Sequence, residues 1–143
     1  MAGSGSRVKT LLHQVLKGLG EGEGLDRALG VCKVVAGGPG SCTLSLVVDK
    51  PHTNRGETLH GGFSAHLVDT VTTMALMTNE GGLPGVSVDM SLSYLKAAKI
   101  GEEIFIEART LKKGRTLAFL ECEIKNKNGD LLVKGSHTKF IGS

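Results

Sequence analysis

The stretch His52–Met77, "HTNRGETLHGGFSAHLVDTVTTMALM", decides which kind of fold this sequence forms. From Phe63 onward its residues predict a helix that is apolar or small on every side, and a helix of that kind must be covered all round. The same helix carries one full charge, Asp69. A carboxylate in a dry environment costs several kcal/mol unless it is paired or hydrogen-bonded. The position of Asp69 therefore needs an explanation.

The segments on either side of this helix predict antiparallel strands. Val86–Tyr94 alternates apolar with polar residues, which predicts a long strand with one dry and one polar face. Asn128-Gly129 favours a type I′ hairpin turn. The other strands are expected from short apolar or alternating runs between turn residues, at Val31–Ala36, Cys42–Val48, Ile104–Ala108, Leu117–Lys125 and Leu131–Phe140.

These patterns predict an α+β domain in which an antiparallel sheet wraps around a central helix. The absence of βαβα alternation makes a Rossmann fold unlikely, and a partner chain is expected to close what the sheet leaves uncovered. Val8 to Leu19 has the spacing of an amphipathic helix, which we expect to end in a flexible glycine-rich loop at Gly18–Gly24. Residues 1–6 are expected to be disordered. The chain, 1–143, then forms a single domain.

The composition argues against several functions. A net charge of +3 spread along the chain, with one Tyr and no Trp, argues against a nucleic-acid binder. The longest apolar run falls well short of the ~20 residues that a membrane span needs. Cys32, Cys42 and Cys122 lack CxxC spacing and are expected to be buried as small hydrophobes in a reduced compartment. The five His are dispersed, so we expect no metal site.

Two interpretations of Asp69 stand against each other. In the simpler one, the carboxylate points to solvent or caps a neighbouring group. However, Gly62, Thr73 and Leu76 share its arc of the helix, with His66 nearby, and this small, polar strip differs from the charged outer face of a surface helix. The sequence therefore favours a carboxylate that lines a functional site and is tuned by partial burial.

The run His60–Gly62 stands at the start of the same helix. The first N–H groups of a helix lack internal partners and carry the positive end of its dipole, and glycine lets a ligand approach them. A tight entry turn is the simpler explanation, and a site for a developing oxyanion is the functional one. Asp69 lies about 12 Å along the axis from Gly61. If both act on one bond, the carboxylate comes from a second subunit across a two-fold axis.

The spacing of Asn54, the run His60–Gly62 and Asp69 resembles that of the hotdog-fold thioesterases of the phenylacetyl-CoA thioesterase type. The segments "TLHGG", "LVD", "TMAL", "PGVSVDM" and "KGSHTK" extend the likeness over nearly the whole chain, apart from its first residues and the glycine-rich loop. This resemblance implies a hotdog fold, dimers with one continuous sheet, and pairs of dimers that form a homotetramer.

The resemblance also implies a role for each matching residue. Asp69 directs a water onto a thioester whose carbonyl is polarised by the N–H of Gly61. Asn54 orients the site, and Ser87 helps to hold the water. His60 either orients the loop or acts as a base in its own right. A thioester is already activated toward attack, so no cofactor is expected beyond the coenzyme A of the substrate.

In the family that this sequence resembles, coenzyme A binds near the turn that "KKGR", Lys112 to Arg115, is predicted to form between two strands. The positive charges of that turn suit its phosphates, although a plain charged hairpin turn is an equal alternative. His52, His66 and His137 are expected to be structural or to face solvent. The residues expected to contact substrate or coenzyme A are Lys50, Ser87, Asp89, Tyr94, Lys112, Lys113, Gly114, Arg115, Thr116 and Leu117.

The function implied by the resemblance is hydrolysis of medium- to long-chain fatty acyl-CoA to free fatty acid and coenzyme A. One alternative is dehydration or hydration of an acyl thioester, with His60 as base. The other is an acyl-CoA-binding scaffold without catalysis, which binds a lipid-transfer protein. The expected location is the cytosol, with an association with mitochondria left open.

Overall fold

The computed structural model describes residues 2–142, in which a six-stranded antiparallel sheet wraps around a central helix. Its strands follow one another across the sheet in the order β1-β2-β4-β5-β6-β3. Two 3₁₀ helices, Leu25–Val31 and Lys50–His52, lie in the connections. The helices and strands are α1 Ala2–Glu21, β1 Lys33–Gly38, β2 Ser41–Val47, α2 Gly61–Met77, β3 Val86–Tyr94, β4 Glu103–Lys113, β5 Leu117–Asn126 and β6 Leu131–Phe140.

The core lies between α2 and the concave face of the sheet, as the sequence predicts. Leu67, Val68 and Val71 of α2 are fully buried against apolar side chains that alternate along the strands. Gly135 of β6 lets the helix approach the sheet, because a Cβ at this position would lie 2.9 Å from Cγ1 of Val68. The predicted sheet around a central helix is confirmed, and this arrangement is the hotdog fold.

Helix α1 differs from its prediction at both ends. It begins at Ala2, so residues 2–6 are helical where the sequence predicts disorder; once Val8 and Leu12 are packed, each further turn adds hydrogen bonds at little cost. At the other end it runs through the glycines to Glu21. Gly20 touches Gly30, since a Cβ on Gly20 would lie 2.8 Å from the Cα of Gly30. Glycine at position 20 allows the two backbones to pack closely. The first part of the predicted flexible loop, residues 18–21, is therefore helical.

The two edge strands also differ from the sequence prediction. β1 starts at Lys33, because the residues before it form a 3₁₀ helix that buries Leu29. β3 has the predicted bounds, but the predicted dry face is covered only in part within one chain, where Met90 and Leu92 pack against the core. Val86 and Val88 are exposed, and β3 has β6 on one side and no strand of residues 2–142 on the other. An exposed edge of this kind can pair with another strand.

The remaining connections follow from local chemistry. β4 continues through Lys113, so the chain reverses at residues 114–116, later than the predicted turn. Gly129 has a positive φ of 86° in the hairpin between β5 and β6, but Asn128 does not, so the predicted type I′ turn is wrong; the turn spans residues 126–129 and is closed by a hydrogen bond of 3.0 Å from the Gly129 N–H to the Asn126 carbonyl oxygen. The three cysteines are free and buried. Within residues 2–142, no helix has the length and apolar character needed to cross a membrane.

Candidate active site

The start of α2 presents an unoccupied backbone donor. His60 is the N-cap residue, and its Nδ1 accepts a hydrogen bond of 2.8 Å from the Gly62 N–H. The Gly61 N–H, by contrast, has no acceptor among the residues that the structure describes. It also lies at the positive end of the helix dipole. Because its Nδ1 is engaged in the cap, the geometry of His60 favours the orienting role over that of a base.

Tyr94 holds the same turn from the end of β3. Its hydroxyl donates a hydrogen bond of 2.9 Å to the carbonyl oxygen of Gly61, and its ring lies against the Gly61 Cα, where a Cβ would be 3.4 Å from Cε1. A surface hollow opens beside this contact and is lined in part by Leu59 and the buried Ser64. Gly61 itself is part of the lining of this hollow.

Asn54 shapes the loop that leads into α2. Its Oδ1 accepts hydrogen bonds from the N–H groups of Gly56 and Thr58, at 3.0 and 3.1 Å, and its Nδ2 donates to the Thr58 hydroxyl. This tight loop forces Glu57 to a positive φ of 62°, which is unusual for a residue with a side chain. The orientation of substrate by Asn54 stays a prediction. We call Asn54, His60, Gly61 and Tyr94 the amide cluster.

Asp69 lies in the middle of α2 with its side chain 48% exposed. Its Oδ1 is 3.9 Å from Nε2 of His137, a fully buried residue of β6. The same Nε2 lies 2.7 Å from Oγ of Ser87, and the Nδ1 of His137 lies 2.7 Å from Oγ1 of Thr72. The structure thus brings the predicted Asp69 and Ser87 together, with the imidazole of His137 joining them.

The hydrogen bonds of Thr72 indicate the tautomer of His137. The Thr72 Oγ1 lies 2.7 Å from the Val68 carbonyl oxygen, one helical turn earlier, so its single proton is donated there. The Nδ1–H of His137 then donates to Thr72, and Nε2 accepts from Ser87. Burial lowers the pKa of His137, against the opposing charge of Asp69. Because the Ser87 hydroxyl donates its hydrogen bond to a neutral imidazole, the Ser87 oxygen is free to accept a hydrogen bond from water.

Lys139 completes this group of side chains. It is the neighbour of Ser87 in the register of β3 and β6, and only 4% of it is exposed. Its Nζ donates a hydrogen bond of 2.5 Å to Oγ1 of Thr73, which donates in turn to the carbonyl oxygen of Asp69 at 2.8 Å. Burial lowers the pKa of Lys139, and the charge of Asp69 opposes this. We call Asp69, Thr73, Ser87, His137 and Lys139 the carboxylate cluster.

Sequence reasoning missed two members of this cluster. His137 was predicted to be structural or solvent-facing, and its place beside Asp69 and Ser87 corrects the solvent-facing alternative. Lys139 was not singled out. The available signal was the period of β6, which turns His137, Lys139 and Gly135 to the inner face, where apolar residues are expected. Leu76, placed on the polar arc of Asp69 by the helical wheel, is buried instead.

The two clusters lie apart within one chain. Gly61 and Asp69 are separated by about 12 Å along α2 at 1.5 Å per residue. Tyr94 and Ser87 stand seven residues apart on β3, which is about 23 Å along a strand. One chain therefore does not bring its own carboxylate to its own free amide.

The candidate contacts for coenzyme A also fall into two groups, one near the amide cluster and one near the carboxylate cluster. Lys50 shares a surface hollow with Asn54 and His60 at the amide cluster. The turn after β4 lies beyond the far end of α2, where the Nζ of Lys113 donates a hydrogen bond of 2.6 Å to the Glu80 carbonyl. The other candidates on the side of the carboxylate cluster are Asp89, next to the bulge after Ser87, and Lys112, Gly114, Arg115, Thr116 and Leu117 of the turn.

Of the remaining histidines, His52 is structural. It is buried, its Nδ1 accepts a hydrogen bond from the Asp49 N–H, and its ring stacks on Phe63 at 4.8 Å. His66 lies with its Nε2 3.4 Å from Oδ1 of Asp26. No three His, Cys, Asp or Glu side chains of residues 2–142 are arranged to hold a metal ion.

A sheet wrapped around a long central helix defines the hotdog class of proteins. A family model described as the thioesterase superfamily matches residues 56–133, and the chain belongs to this superfamily. It is 47% identical to acyl-coenzyme A thioesterase 13 of Mus musculus over 133 residues, which cover 92% of this chain and 95% of the relative. The human protein of the same name is 44% identical over the same shares.

Solved structures agree with this assignment. The crystal structure of zebrafish thioesterase superfamily member 2 superposes with a TM-score of 0.92 at 47% identity and covers 94% of this chain and 98% of its own. A hypothetical thioesterase from Streptococcus pneumoniae TIGR4, crystallised with coenzyme A, has a TM-score of 0.74 at 25% identity and covers 78% of this chain and 86% of its own. The fold is thus found in a protein that was crystallised with coenzyme A.

Proposed function

We propose that this protein is an acyl-CoA thioesterase that hydrolyses medium- to long-chain fatty acyl-CoA to free fatty acid and coenzyme A. The observation that carries the proposal is the placement of Asp69 beside Ser87, together with a free amide at Gly61. The likeness to proteins named acyl-coenzyme A thioesterase 13 supports the acyl-CoA substrate. The preference for medium and long chains rests on the family resemblance.

The reaction follows from the chemistry of these groups. The Gly61 N–H donates to the thioester carbonyl oxygen and stabilises the negative charge that develops there. Ser87 and Asp69 hold a water molecule, and the Asp69 carboxylate accepts a proton as the water oxygen attacks the carbonyl carbon. The C–S bond of the tetrahedral intermediate then breaks. The acid leaves as a carboxylic acid, and the thiolate of coenzyme A takes the proton from Asp69.

We propose that a second copy of the chain completes each site, because Gly61 and Asp69 of one chain are about 12 Å apart. Two α2 helices that meet antiparallel about a two-fold axis would place each Gly61 near Asp69 of the other copy. The exposed edge of β3, with Val86 and Val88 uncovered, supports a dimer whose sheet continues across the axis. Pairs of such dimers would form the homotetramer.

The contacts for coenzyme A also fit a shared site. Arg115 of the turn and Lys112 near the end of β4 are exposed at the carboxylate side, and Lys50 and Tyr94 lie at the amide side. A ligand whose thioester bridges the two clusters can therefore meet positive charge from both copies, and these charges suit its phosphates. The free cysteines suit a reduced compartment such as the cytosol, where we place the protein, with mitochondrial association and a lipid-transfer partner as further possibilities to test.

The decisive experiment measures release of free thiol, with a colour reagent, from acyl-CoA esters of increasing chain length. We expect steady turnover that rises toward medium and long chains and that Asp69→Asn abolishes. Stoichiometric binding without thiol release would indicate an acyl-CoA-binding scaffold. Consumption of an enoyl-CoA without thiol release would indicate a hydratase. Either result would overturn the proposed function.

A further inference from the structure

We infer that Tyr94 is a positioning residue of the hydrolytic site: its hydroxyl group ties the first turn of α2 to the end of β3, so that the Gly61 N–H keeps its direction toward the thioester oxygen. The inference rests on the proposed thioesterase function. Tyr94 acts here through the backbone of Gly61 and not on the reacting atoms. This role differs from the contact with substrate or coenzyme A that the sequence predicts for Tyr94.

The start of α2 needs support because of its composition. Gly61 and Gly62 are the first two residues of the helix, and glycine has the lowest helix propensity of any residue except proline. Without a Cβ, each of them can adopt many backbone conformations. An N–H group that stabilises a developing oxyanion must, however, have its direction before the reaction begins. The glycines that open the backbone to a ligand therefore also leave its direction poorly fixed.

Hydrogen bonds hold the peptide groups on both sides of the Gly61 Cα. The His60 carbonyl oxygen belongs to the same peptide group as the Gly61 N–H, and it accepts a hydrogen bond of 2.9 Å from the Ser64 N–H. In the next peptide group, the Gly62 N–H donates to Nδ1 of His60, and the Gly61 carbonyl oxygen accepts from the Tyr94 hydroxyl. These bonds orient the Gly61 N–H without occupying it.

Tyr94 connects this turn to a distant part of the chain. The other side-chain hydrogen bonds of the amide cluster join residues no more than four positions apart, whereas the bond from Tyr94 to Gly61 spans 33 positions. The backbone at Tyr94 is itself fixed, because Tyr94 pairs with the buried Val133 of β6 and the following Leu95 donates a hydrogen bond of 2.8 Å to the Leu132 carbonyl. The sheet thus supports a glycine-rich turn through one side chain.

The ring of Tyr94 adds a second contact. A Cβ on Gly61 would lie 3.4 Å from Cε1 and 3.7 Å from the hydroxyl oxygen, so the ring is within van der Waals reach of the Gly61 backbone. Tyr94 is also 57% exposed and lines the hollow beside Gly61, where a ligand can reach it. An experiment therefore has to separate positioning from direct contact with the substrate.

Steady-state kinetics give the first separation. Tyr94→Phe keeps the ring and removes the hydroxyl, so kcat for acyl-CoA should fall about ten-fold while KM changes little, because the lost support bears on charge in the transition state. Tyr94→Leu also removes the ring contact and should lower kcat further. Ser93→Ala removes a hydroxyl from the exposed neighbour on β3 and should change neither constant. An unchanged kcat in Tyr94→Phe, with or without a rise in KM, would overturn the inference.

Infrared spectroscopy of the bound thioester measures the effect on the reacting carbonyl group. We expect Asp69→Asn to bind acyl-CoA but hardly to hydrolyse it, so an isotope label on the thioester carbonyl carbon reports the stretching frequency of that group in the site. A hydrogen bond from the Gly61 N–H lowers this frequency. Adding Tyr94→Phe to Asp69→Asn should reduce the downshift, because the donor is less well oriented. An equal downshift in the two proteins would contradict the positioning role.

Hydrogen exchange of the ligand-free protein distinguishes positioning from a direct bond between the Tyr94 hydroxyl and the thioester. If Tyr94 holds the turn, the N–H groups of Gly62 and Ser64 should exchange several-fold faster in Tyr94→Phe before any substrate is added, and at the wild-type rate in Ser93→Ala. Unchanged exchange in Tyr94→Phe would mean that the hydroxyl acts on the ligand, and the inference would be wrong. Absence of thiol release by the wild-type protein would instead refute the proposed function itself.

Discussion

The amide cluster and the carboxylate cluster serve one proposed reaction but are built differently. In the amide cluster, the Gly62 N–H bonds to a ring two residues away, and Asn54 bonds within its own loop. In the carboxylate cluster, His137 and Lys139 bond to residues at least 50 positions away, and both are buried. The first is held mostly by local hydrogen bonds, with Tyr94 connecting it to β3, whereas the second is held in place by the core.

The largest effect is expected from removal of the Asp69 carboxylate, the central group of the carboxylate cluster. We expect Asp69→Asn to lower kcat by about 10²- to 10⁴-fold, the usual contribution of a general base. Its unfolding temperature should fall slightly, because the mutation removes the negative charge that offsets the buried ammonium group of Lys139. Asp26→Asn, outside both clusters, is the control. Wild-type turnover in a folded Asp69→Asn protein would end the assignment of Asp69.

The next test asks whether the two clusters meet across a dimer. Gly61→Val should block the amide, because a branched side chain would be driven into the Tyr94 ring. Each single variant should be inactive on its own. After joint unfolding and refolding, random pairing makes about half of the dimers mixed, each with one intact site, so about a quarter of wild-type sites should return.

The control for this test is mass spectrometry of the refolded mixture. If mixed dimers form and thiol release stays at the level of the single variants, the two clusters do not act on one bond. The separation of about 12 Å would then have to be bridged in another way.

The turn after β4 offers a smaller and sharper contrast. Arg115→Ala should raise KM for acyl-CoA several-fold with little change in kcat, as expected when a contact is equal in ground and transition states. Lys113→Ala should instead lower the free energy of unfolding by about 1 kcal/mol, because its Nζ holds the Glu80 carbonyl. Steady-state kinetics and thermal unfolding of both variants distinguish the two roles. An unchanged KM in Arg115→Ala would show that the turn only connects β4 with β5 and does not bind coenzyme A.

The smallest expected effect concerns the loop of the amide cluster. Glu57 has a positive φ of 62°, which costs a residue with a Cβ about 1–2 kcal/mol. Glu57→Gly relieves this strain but adds freedom to the unfolded chain, so we expect a net gain of about 0.5 kcal/mol in stability. Denaturant unfolding measures it, with Glu57→Ala as a control that keeps the strain. A loss of stability in Glu57→Gly would show that the loop is not strained.

The same contrast explains what the sequence could predict. The bounds of β3 and β6 followed from periodicity, and one charge in an apolar helix singled out Asp69 as a candidate. His137 and Lys139 were out of reach, because their roles depend on β6 lying beside β3, a pairing that no local pattern encodes. The helical path through Gly20 was also missed, since glycine composition cannot distinguish a flexible loop from a close contact.

The contact between Gly20 and Gly30 has a consequence for reading mutational scans of this protein. A Cβ on either residue would lie within 2.8 Å of the other's Cα, and neither backbone can move aside without disturbing the packing of α1. Both positions should therefore reject nearly every substitution, although they take no part in the proposed chemistry. In a scan scored by survival alone, they would rank beside Asp69, and only a separate assay of folding would tell scaffold from catalyst.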